Sequence, residues 1–148
     1  MEELEVAWYL WWSQEGLFSH GLALRHHTQA GQALPVTLAL WPGGTTELQP
    51  HLAWIRETCA AGRAVLVLDP TGVGGLTPSA RGNALGRFGR LHVLNDDLVW
   101  LGDSLAALRT YDLLRALDVL PLLPDLKMED LRLYGQGRYA VYGQFAAA

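Results

Sequence analysis

The sequence predicts an α/β fold, a mostly parallel sheet of about five strands with helices on both faces. Three observations carry this. Pro35 to Trp41 (PVTLALW) and Ala64 to Leu68 (AVLVL) are short runs that are apolar on both alternating faces, as strands covered on both sides must be. Each is separated from the next strand by a segment with helical spacing of its leucines. The last eighteen residues, LRLYGQGRYAVYGQFAAA, read as a strand, a glycine turn and a helix. Strand and helix in alternation point to parallel pairing with crossover helices.

Bulk properties set the outer bounds. A chain of 148 residues, half of them apolar and 18% charged, is long enough for one domain with a core and too apolar for a disordered segment. No internal repeat or domain boundary interrupts residues 1–148, which we read as a single domain. The formal charge of −4, with one lysine and scattered arginines, argues against nucleic acid as a partner. No apolar run approaches the roughly 20 residues of a membrane span. The start, MEELEVAWYLWW, lacks the basic residues and long apolar core of a secretory signal. Cys59 is the single cysteine, which fits a reducing, cytoplasmic setting.

Taken in order, Val6 to Trp12 is an aromatic strand, Ser13 to Gly16 a four-residue connection, and Leu17 to His27 its hairpin partner. Trp8 and Trp12 share one face and Trp11 takes the other. Packing is the ordinary role of such aromatics, a carbohydrate or partner surface the alternative. Thr28 to Leu34 is a polar loop, and Pro42-Gly43-Gly44 ends the first central strand. A helix is predicted from about Thr46 to Ala61, with Thr46 and Gln49 at capping-box spacing, Leu48, Leu52, Ile55 and Cys59 on one face, and Gly62 as the stop. Asp69 to Arg90 is a long glycine-rich loop, and Leu91 to Leu94 gives only a weak strand signal. Asn95 to Leu120 reads as one long helix on the repeat of Leu98, Leu101, Leu105, Leu108, Tyr111, Leu114, Leu117 and Leu120. Asp96 and Asp97 fall in its first turn, and Pro121 and Pro124 end it.

Leu131 to Ala148 has the layout of a nucleophile elbow, a sharp strand-to-helix turn that lifts one side chain above a sheet. In the pattern G-x-S-x-G the serine position is Gly137. Such a turn favours positive φ, which glycine adopts without steric cost. The turn is therefore present and the nucleophile is not.

Three segments together resemble the α/β-hydrolase superfamily, in particular acetyl-xylan-esterase-like and dienelactone-hydrolase-like proteins. Leu38 to Gly44 is similar to the strand and oxyanion loop usually written H-G-G. Gly62 to Gly74 (GRAVLVLDPTGVG) is similar to the family's G-x-A-V-x-x-x-D-x-R-G-x-G segment, and Leu131 to Ala140 to its elbow. The resemblance implies the front half of the fold, with sheet order 1-2-4-3-5. It implies carboxylic-ester hydrolysis for complete members, whose acid and histidine follow on later strands, and it marks this chain as a truncated domain. It also implies an oxyanion-hole-like set of backbone N–H groups at Gly43, Gly44 and Arg138. The departures are Gly137 for the nucleophile, Tyr139 for the final small residue and Thr71 for arginine. All five histidines (His20, His26, His27, His51, His92) precede the elbow.

Other chemistry is weakly signalled. Gly72-Val73-Gly74-Gly75 lacks a third glycine at Thr77, and Pro78 blocks a helix start, so it is no dinucleotide motif. Adjacent His26 and His27 on a strand would face opposite ways, and of Asp96, Asp97 and Asp103 the first two are explained by helix capping, so no metal and no cofactor is expected. Ser104 and Cys59 sit in predicted helices without an adjacent base. The expectation is a chain without catalytic residues of its own, inactive alone. The alternatives are a non-catalytic module for assembly or small-molecule ester or anion binding, and a subunit completed by a partner chain. An open edge at Leu131 to Tyr134 predicts a homo-oligomer.

Overall fold

The computed structural model describes residues 3–78, 89 and 91–148. Five strands form one sheet: β1 (Leu4–Gln14), β2 (Leu17–His26), β3 (Leu34–Leu40), β4 (Ala64–Asp69) and β5 (Leu126–Gly135), in the order β1-β2-β4-β3-β5. β1 and β2 are an antiparallel hairpin, and β2 joins β4 antiparallel. β4, β3 and β5 are parallel, with Leu38 opposite Leu66 on one side and Leu133 on the other. The predicted order and the parallel trio are both present.

Two apolar layers explain the uninterrupted apolar runs. Val36, Leu38, Leu40, Ala64, Leu66 and Leu68 point to one face, where they meet α3 (Leu105–Val119) and α4 (Tyr139–Ala147) through Leu113, Ala116, Leu120, Tyr139 and Tyr142. Ala39, Trp41, Val65 and Val67 point to the other, under Ile55 and Cys59 of α1 (Leu52–Ala60). A period of two placed between two helical layers leaves Thr37, and Asp69 at the last position of β4, as the polar residues of the two strands. Thr37 is satisfied by the buried Arg63, whose Nε donates to its hydroxyl at 3.0 Å.

Several local readings are corrected. The hairpin connection is two residues, Glu15-Gly16, with Gly16 at φ +76°. The first helix starts at Leu52, not Thr46. Pro50 has no N–H and begins a short 3₁₀ turn (Gln49–His51) instead, and the Thr46 hydroxyl donates to Gly43 O at 2.8 Å rather than capping a helix. The long helix is two. Leu91 to Leu94, the weak strand signal, belongs to the start of α2 (His92–Trp100), which ends before Gly102 at φ +76°; Ser104 then caps α3, accepting from Ala107 N at 3.0 Å. Asp96 and Asp97 therefore sit inside α2. Much of the glycine-rich loop, from residue 79 to residue 90, lies outside the described residues apart from Gly89. The elbow strand is longer than read, beginning at Leu126. Trp11 is packed, but Trp8 and Trp12 are 62% and 67% exposed, so the outer face of the hairpin is an open aromatic surface.

Candidate active site

The site lies where the parallel strands end. After β5 the chain turns through Gln136-Gly137-Arg138 into α4. Gln136 N donates to Leu40 O at 3.0 Å, so the turn is tied to the end of β3. Gly135 has to be glycine: a Cβ there would lie 2.5 Å from the Ala140 Cα. Gly137 is different. Its φ is +58°, yet nothing lies within 4 Å of where its Cβ would be. The apex of the turn thus has the positive φ expected of an elbow and open space above it, and carries no side chain. Tyr139, at the small-residue position, is buried and packs edge-on against Tyr142, with ring centroids 5.5 Å apart.

Beside the elbow, the loop after β3 folds into a 3₁₀ turn. Gly43 (φ +80°) and Gly44 (φ +49°) make the left-handed bend, and Gly44 N donates to Trp41 O at 3.2 Å. Trp41 Nε1 donates back to Gly44 O at 3.0 Å. Trp41 is fully buried and stacks on His51 at 4.0 Å. Burial holds the His51 imidazole below its ordinary pKa against the opposing pull of Glu47, so it is neutral at pH 7.

Asp69, at the end of β4, braces these loops. Its side chain has no exposure and accepts from Thr45 N at 2.7 Å, Thr45 Oγ1 at 2.6 Å and Gly75 N at 2.7 Å; His20 Nε2 lies 3.4 Å away. The carboxylate is packed so closely that a Cβ on Gly44 or Gly74 would lie 1.9 or 2.2 Å from its oxygens. The D-x-x-G-x-G spacing thus records a buried anion gripped by two loops. A second network crosses the layers. Thr71 N and Oγ1 both donate to Asp112 Oδ2 at 2.7 Å, and Arg109 Nε donates to Thr71 O at 2.9 Å. The guanidinium lies over the rings of Tyr139 and Tyr142, 5.6 and 5.9 Å from their centroids. Burial raises the Asp112 carboxyl above the usual carboxylate range, and the Thr71 bonds and Arg109 oppose this. Arg109 and Asp112 were missed in the sequence, although both fall on the Leu105–Leu113–Ala116–Leu120 stripe. A charged residue on a core stripe was the available signal.

The histidines are distributed as follows. His20 packs against Trp8 and Asp69. His26 and His27 stack on each other at the opposite end of β2, bonded to Thr28 and Glu3 O. His92 lies 3.2 Å from Asp96 and lines, together with Arg138, a cavity of about 380 Å³. No group of three metal-ligating side chains occurs among the described residues. Cys59 is on the buried face of α1, where desolvation pushes its thiol up to about 11, far from a reactive thiolate. No helix among the described residues is long and apolar enough to cross a membrane.

The sequence matches no family profile and no curated protein. Solved structures do match. A candidate acetyl xylan esterase from Bacteroides fragilis aligns with a TM-score of 0.73 at 15% identity, over 97% of this chain and 41% of that one. The acetyl xylan esterase of Paenibacillus sp. R4 aligns with a TM-score of 0.68 at 17% identity, over 99% and 46%. The glucuronoyl esterase of Solibacter usitatus gives 0.64 at 16%, over 97% and 44%. The chain spans less than half the length of each of these proteins. It has the fold of the corresponding part of these α/β-hydrolases.

Proposed function

We propose that this chain is an ester-hydrolase-type domain that does not hydrolyse esters on its own and acts as a non-catalytic binding or assembly module. The observation that carries the reading is Gly137. It holds the apex of the elbow at φ +58°, where acyl transfer needs an oxygen or sulfur nucleophile. The likeness in shape to carboxylic-ester hydrolases supports the ancestry of the turn. The backbone N–H groups of Gly43 and Arg138 then form a residual anion hole; Gly44 contributes less, because its N–H is engaged with Trp41 O. The lone buried Cys59 supports a cytoplasmic setting.

The test is p-nitrophenyl acetate hydrolysis by the wild type, Gly137→Ser and Gly137→Ser/His92→Ala. All three should run at the buffer rate, because no base is placed against the restored hydroxyl: nothing lies within 4 Å of where a Cβ at position 137 would be. Turnover by Gly137→Ser that disappears in the double variant would make His92 a working base and overturn the reading.

A second reading, association through the β5 edge, is favoured by a specific feature. β5 pairs with β3 on one side, and along β5 and α4 runs a trough of about 390 Å³ lined by Leu133, Tyr134, Gly135, Ala140, Gly143, Gln144 and Ala147. A strand edge beside an apolar trough is a template for another strand, from a second copy or a completing partner.

A further inference from the structure

We propose that the cavity between the starts of α2, α3 and α4 is a binding site for a small organic carboxylate with a short apolar group. It is about 380 Å³ and is lined by Gly72, Leu91, His92, Asn95, Leu105, Arg109, Arg138 and Tyr139. Its described lining holds two guanidinium groups and an imidazole and no acid, although just outside it Asp96 lies 3.2 Å from His92 and the Asp112 carboxylate interacts with Arg109. Arg109 is the informative member. It is only 3% exposed, so its charge sits at a site where water screens little. Nε is committed to Thr71 O and Nη1 reaches only the Tyr142 hydroxyl, at 3.5 Å; no hydrogen bond among the described residues uses Nη2. A buried guanidinium with donors to spare, its Cζ 5.6 and 5.9 Å from the centroids of two tyrosine rings, is pre-organised for a planar two-oxygen acceptor. Arg138, also in the lining, is exposed and forms no ion pair among the described residues.

The remaining lining selects among anions. Leu91, Leu105 and the ring of Tyr139 give the cavity an apolar side that a fully hydrated phosphate would have to desolvate against. A short alkyl or aryl group fills it instead. The cavity adjoins the elbow through Arg138 and Tyr139 but is not lined by Gly137, and the proposed binding needs no ester chemistry there.

The experiment titrates butyrate and benzoate into the whole 15N-labelled chain and follows the amides of Gly72, Asn95 and Tyr139, with butyramide and inorganic phosphate as controls. The expected result is saturable shifts with either carboxylate, none with butyramide, and much weaker binding of phosphate. Arg138→Gln, a surface change that leaves folding intact, should weaken the carboxylates about tenfold, the loss of one charge-assisted hydrogen bond. Arg109→Lys should weaken them further; if it does not fold, Arg138→Gln decides alone. Carboxylates that shift none of these amides, that bind Arg138→Gln equally well, or that bind no better than phosphate would overturn the proposal.

Discussion

Asp69 offers the sharpest test of how the site is held. Three donors converge on its carboxylate, the Thr45 and Gly75 backbone N–H groups and the Thr45 hydroxyl, all within 2.7 Å and all at zero solvent exposure of the acceptor. Asp69→Ala removes the acceptor that all three share. The hydroxyl can rotate to another partner, but the two backbone N–H groups cannot. At about 1–3 kcal/mol for each stranded donor, the variant should lose about 2–6 kcal/mol, a large share of the roughly 5–15 kcal/mol of a typical domain. Asp69→Asn should cost less. Its carbonyl can take the Oδ2 position, where Thr45 Oγ1 and Gly75 N meet, while its amide faces only Thr45 N. Guanidinium unfolding followed by tryptophan fluorescence measures both, with the slope checking that the transition stays two-state. Gly74→Ala should be as damaging as Asp69→Ala, since its Cβ would sit 2.2 Å from the carboxylate, whereas Gly137→Ala meets no atom and carries only the backbone strain of about 1–2 kcal/mol. A loss below about 1 kcal/mol for Asp69→Ala at unchanged slope would refute the claim that this carboxylate braces the two loops.

Other expectations follow from the same structure. Burial places the folded pKa of Asp112 above its ordinary value of 3.8, so the folded state binds the extra proton between the two values. Stability should therefore fall as pH rises from about 3.8 through the raised value. Asp112→Asn keeps one oxygen for both Thr71 donors and should flatten that part of a urea-midpoint-against-pH curve. Ser104→Ala removes the cap of α3 and should cost about 1 kcal/mol in thermal or chemical unfolding. Light scattering at low micromolar concentration should find a dimer or larger species that Leu133→Lys disrupts. A stable monomer would count against the β5 edge, and a dimer unaffected by Leu133→Lys but lost in Trp8→Lys would move the contact to the open face of β1.

How far the sequence could be read depended on whether the governing contact was local. β3 and β4 were legible because strands between two helical layers must be apolar at every position. The elbow was legible because Gly135 and Gly137 answer local demands, a close approach and a positive φ. The break between α2 and α3 was misread because leucines continue through it, although Leu101 is 80% exposed and belongs to no core stripe. Gly102 followed by Ser104 was the overlooked stop and start. The Asp69 and Asp112 networks were invisible for a different reason: they join Thr45 to Asp69 and Thr71 to Asp112, residues 24 and 41 apart in the chain, and spacing alone does not pair them.

The central claim is that the chain presents an elbow without a nucleophile. Intact-mass spectrometry after incubation with a fluorophosphonate, which phosphonylates an activated hydroxyl, addresses it most directly. The account predicts a wild-type chain of unchanged mass at a reagent concentration that fully labels a serine esterase control. A single stoichiometric adduct that maps to a serine, threonine or tyrosine of the folded chain, and is lost on unfolding, would contradict it.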